Sequence, residues 1–110
     1  MLREIKGTQR LPRMIGLRVD GTGTAAILAG AQDATLTDNG TGDYTLTFAK
    51  PFARVPQVVA MPMAQDVAMH ISAVSASAVT IKARTVDAAP AAVDVDFHVM
   101  VLGSDAVDET

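Results

Sequence analysis

Val93, Val95, Phe97, Val99 and Val101 alternate one for one with Asp94, Asp96, His98 and Met100. Successive side chains of an extended chain point to opposite faces, so this run reads as a strand with one face in a core. Val79, Ile81 and Ala83 alternate in the same way with Thr80, Lys82 and Arg84, and Val67, Met69, Ile71 and Ala73 with Ala68, His70 and Ser72. Upstream, Tyr44, Leu46 and Phe48 share one face, with Thr45 and Thr47 on the other. The turn-rich stretch 38–43 joins that strand to Thr35-Leu36-Thr37, and the pair predicts a β-hairpin. Gln57 to Met61 reads as a further strand, with Pro62 ending it or lying on an edge. The segment 50–56, punctuated by Pro51 and Pro56, reads as an extended crossing.

Met14 to Val19 is a candidate first strand, closed by the glycine-bearing turn 20–23. Residues 25–31 fit a short buried strand or one helical turn equally well. No amphipathic helix emerges. The pattern predicts an all-β fold, an antiparallel β-sandwich of seven or eight strands over 19–103, with its firmest part between Tyr44 and Leu102. Residues 1–18 form an extended N-terminal arm on this reading, Pro12 lacking the amide hydrogen of a regular element, and 104–110 form an acidic tail.

Composition changes the picture in two ways. Hydrophobic residues make up 49% of the 110, but aromatics only 4%, with no Trp, so a core of Val, Ile, Leu, Met and Ala is expected. Small apolar side chains bury little area each, which predicts a modestly stable monomer that gains from self-association. Met61, Met63 and Met69 are assigned to core filling or a subunit contact ahead of a soft recognition surface. Cys is absent, which excludes disulfides and thiolate chemistry. No apolar run follows the N-terminal charges and none is long enough to span a bilayer, so a protein made in the cytoplasm and not inserted in a membrane is expected.

Charge is divided unevenly. Residues 1–18 carry Arg3, Lys6, Arg10, Arg13 and Arg18 against Glu4, a local net charge of +4, while the other 92 residues carry −7. A basic arm ahead of an acidic body suits docking on an acidic protein surface. Five charges without interleaved aromatics make a weak nucleic-acid footprint, and the body would repel a phosphate backbone.

Asp94, Asp96 and His98 fall at i, i+2 and i+4 and would share one face of a strand, where they could meet a divalent ion or a basic ligand. The plainer reading, an exposed polar face with Lys82 and Arg84 as cross-strand partners, is preferred. The 38–43 segment is rich in oxygen ligands but lacks EF-hand spacing, and hairpin turns favour the same residues. Asn39-Gly40-Thr41 is a formal glycosylation sequon, idle without secretion. The pairs Gly21/Gly23 and Gly40/Gly42 precede no helix, so they do not form a phosphate cradle. His70 and His98 stand without a nucleophile elbow or an HExxH motif. No enzyme, metal or cofactor is expected.

The segment 44–58, an alternating strand ending in Phe48, then Phe52, then Pro56 before a Val-rich strand, resembles the opening of small trimeric β-sandwich domains. Such domains occur in tailed-phage fibre, spike and head-decoration proteins and in the H-type lectins. The runs 75–81 and 96–103 are similar to the closing strands of these phage proteins. The resemblance spans about Gly40 to Gly103 and implies a homotrimeric virion structural protein, made in the host cytoplasm and attached to a capsid or tail protein. The arm residues Arg3, Lys6, Arg10, Arg13 and Arg18 would carry the attachment. The alternative it implies is a receptor- or carbohydrate-binding tip domain using Asp94, Asp96 and His98. One Tyr and no Trp supply little aromatic surface for a sugar.

Overall fold

The computed structural model describes residues 10–106, so Arg3 and Lys6 of the basic arm and the last four residues of the tail lie outside the described residues. Eight strands follow in order: β1 (Arg10–Asp20), β2 (Ala26–Ala29), β3 (Ala34–Gly40), β4 (Asp43–Phe48), β5 (Gln57–Pro62), β6 (Val67–Val74), β7 (Ala78–Thr85) and β8 (Phe97–Ala106). They form two four-stranded antiparallel sheets, β2-β1-β8-β5 and β3-β4-β7-β6, packed as a β-sandwich. The chain crosses between sheets after β2, β4, β5 and β7.

The alternation read from the sequence is the alternation of burial. Ile15, Leu17 and Val19 of β1 and Phe97, Val99 and Val101 of β8 face Tyr44, Leu46 and Phe48 of β4 and Val79, Ile81 and Ala83 of β7 across one core. The ambiguous Ala-rich segment resolves as β2, whose Ile27 packs against that core. The hairpin β3–β4 forms as expected, with positive φ at Gly40 and Gly42.

Three differences from the sequence reading bear on function. First, β1 begins at Arg10, not Met14, because Arg10 to Arg13 pair with Ala106 to Gly103 of β8. Part of the expected arm and the start of the expected tail are thus one ladder. Second, the core is built mainly of Val, Ile, Leu and Ala as expected, but it holds no fully buried methionine and instead takes in all four aromatics as two pairs. Tyr44 and Phe97 lie 5.1 Å apart, and Phe48 and Phe52 meet edge to face at 5.2 Å. Met14, Met61, Met63 and Met100 are exposed, and among the described residues only Met69 of the methionines packs against the core. Third, the final strand starts at Phe97, and residues 93–96 form a crossing that ties the two sheets together.

Candidate interaction faces

The two outer faces differ in chemistry. Outward positions of the second sheet include Thr35, Thr37, Thr45, Thr47, Thr80, Lys82 and His70, a polar surface in which Lys82 pairs with Asp43 at 3.9 Å. A hollow of about 580 Å³ lies there among Asp43, His70, Lys82 and Arg84.

The outer face of the first sheet is apolar. Register aligns its outward side chains in rows across β1, β8 and β5: Met14–Leu102–Gln57, Gly16–Met100–Val59 and Arg18–His98–Met61. Met14, Met61, Met100, Leu102 and Val59 are 51–62% exposed. At roughly 100 Å² apiece they present about 500 Å² of contiguous apolar surface, as large as the largest patches ordinary monomers expose. A shallow hollow of about 410 Å³ lies at its centre, floored by Gly16 and walled by Val59, Met61 and Met100. This face was not legible in the sequence as a site. Met100 stood in the polar phase of its strand, and Met14, Val59 and Met61 join it only through register.

The predicted ligand residues separate. The Gly42 amide donates to Asp94 Oδ1 at 2.8 Å, and the Tyr44 hydroxyl lies 2.9 Å from the Gly21 carbonyl and 3.1 Å from the same Asp94 oxygen. Asp96 instead accepts from the Gly21 amide at 3.2 Å, so each aspartate holds the turn of a different sheet. His98 stands alone on the outer face, in register with Arg18 and Met61. Among the described residues no three His, Asp or Glu side chains gather as a metal site. The expected cross-strand partners are also corrected: Lys82 and Arg84 belong to the second sheet, and Lys82 meets Asp43 of β4.

Two electrostatic features follow. Burial, aided by the Asp94 carboxylate, pushes the Tyr44 hydroxyl up to about 12. The neighbouring Asp20 carboxyl holds the Asp96 carboxyl above the usual range, while the hydroxyl and amide of Thr22 donate to Asp20 and hold it below.

Among the expected docking residues, Arg13 is engaged within the fold. Its Nε donates to Asp105 Oδ1 at 2.9 Å, its Nη2 donates to the carbonyls of Lys50 and Pro51, and its guanidinium lies 3.9 Å from the centre of the Phe52 ring. Arg10 opens β1, and Arg18 lies exposed on the apolar face. Comparison of the chain with protein-family models, curated proteins and solved structures gives no match.

Proposed function

We propose that this chain is a non-enzymatic structural protein of a phage particle, a capsid-decoration or small head- or tail-attached module that assembles with copies of itself. The observation that carries this reading is the asymmetry of the sandwich: one outer sheet face is polar, and the other exposes about 500 Å² of Met, Val and Leu. A surface of that kind costs solubility unless another macromolecule covers it. The phage assignment itself rests on the resemblance of the segments around 44–58 and 96–103. Attachment to the particle falls to the basic N-terminal segment, with Arg3 and Lys6 ahead of Arg10. Arg13 is left out of that set because Asp105 already matches its charge.

Co-sedimentation with phage particles assembled without the protein tests the role. Full-length chain should pellet with particles, and a chain lacking residues 1–9 should stay in the supernatant with its β spectrum unchanged. The deletion stops at Gln9 because β1 starts at Arg10. A truncated chain that still pellets would move the attachment site onto the sandwich. The alternative, a receptor- or carbohydrate-binding tip, gains support only from the polar hollow at Asp43, His70, Lys82 and Arg84. Binding on a glycan array that His70→Ala abolishes would favour it.

A further inference from the structure

Gly16 lies in the middle of β1, where glycine weakens a strand, and the monomer gives no reason for it. Its φ is not positive, and a Cβ built there meets nothing within 4 Å. A glycine that its own fold does not require marks a place where something else comes close. The flanking Met100 and Val59 make the same spot the floor of the apolar hollow.

We infer that the outer face of the first sheet is covered by the same face of a second copy, in a two-fold pair whose axis crosses the strands through the row Gly16–Met100–Val59. Charge selects this arrangement. The two ends of β1 differ in charge: Arg10 opens the strand, and Asp20 closes it beside Gly21, whose amide Asp96 holds. An axis across the strands reverses the partner, so each acidic Asp20–Asp96 end lies over the Arg10 end of the other copy. Arg18 then lies over the partner's Met14 row, about 13 Å along the strands from its own counterpart. A three-fold ring with its axis along the strands would instead bring three Asp20–Asp96 pairs to one level. At the axis the two Gly16 backbones face each other, and the flexible Met100 side chains beside them fill the gap.

Size fits as well. About 500 Å² of apolar centre, with a rim of Gln57, Ser104, Arg18 and His98, approaches the roughly 800 Å² per partner of a stable interface. Sheets packed face to face in this way lie about 10 Å apart with strands within about 30° of parallel.

The pairing rests on the reading of the chain as a self-assembling structural protein. Light scattering of the purified full chain at micromolar concentration should give twice the 11.4 kDa chain mass. Gly16→Glu, whose Cβ meets nothing within 4 Å in the monomer, should weaken pairing at least 100-fold and leave the β spectrum intact. Met100→Asp is the second such variant. Thr47→Glu on the opposite face should not change it. A monomer, a trimer, or a dimer indifferent to Gly16→Glu and Met100→Asp would each overturn the inference. A monomer that still pellets with particles would sink the pairing while leaving the particle role in place.

Discussion

Tyr44 joins the core to the turns at one end of the sandwich. Its ring packs on Phe97, and its hydroxyl reaches the Gly21 carbonyl and Asp94. Because that hydroxyl is pushed up to about 12 from an ordinary value of 10.0, its protonated form favours the folded state. The stabilisation is complete below pH 10 and is lost as pH rises from about 10 to 12, where the unfolded chain ionises first, a difference of about 2–3 kcal/mol. The chain has one Tyr and no Trp, so tyrosinate absorbance reports this group alone. Read directly after a pH jump, its midpoint should fall near 12; a midpoint at the ordinary value with the fold intact would place the hydroxyl in water. Gly21 is the other half of this junction. A Cβ there would press into the Val95 carbonyl oxygen and the Tyr44 hydroxyl. Gly21→Ala should therefore cost about 2–3 kcal/mol in urea denaturation, through strain and the loss of these hydrogen bonds. The sequence showed Gly21 only as a turn residue, since the atoms it makes room for lie 23 and 74 positions away.

At the scale of elements, β4, β6, β7 and much of β8 were legible because each buries one face and exposes the other, and a two-residue period records that directly. The start of β1 was not. Pro12 and the arginines around it interrupt any period, yet pairing with Gly103 to Ala106 of β8 holds them extended. Pro12 is tolerated because β2 pairs only with Arg18 to Asp20, so at Pro12 the strand has a single neighbour. Arg13 anchors this stretch through an ion pair in which both side chains are about four-fifths shielded from water (21% and 17% exposed). Arg13→Ala should lower stability by about 2 kcal/mol, summing a charge-assisted hydrogen bond and the stacking on Phe52. A loss below about 0.5 kcal/mol, the usual yield of an exposed pair, would return Arg13 to the docking surface.

For the whole molecule, the all-β class, the hairpin at 38–43 and the list of inward residues follow from local pattern, because burial on one side of an extended chain is written residue by residue. The pairing of strands is a different matter. Which outward residues become neighbours depends on register between segments up to 96 positions apart, from Arg10 to Ala106. Asp94, Asp96 and His98 looked like one ligand face by spacing, but the crossing between sheets sends two of them to separate turns. Met14, Val59, Met61, Met100 and Leu102 looked unrelated, but register gathers them into one apolar face around Gly16. A polar or apolar label belongs to a residue and can be read from the chain; a surface belongs to the arrangement of strands, and only packing in three dimensions assembles it.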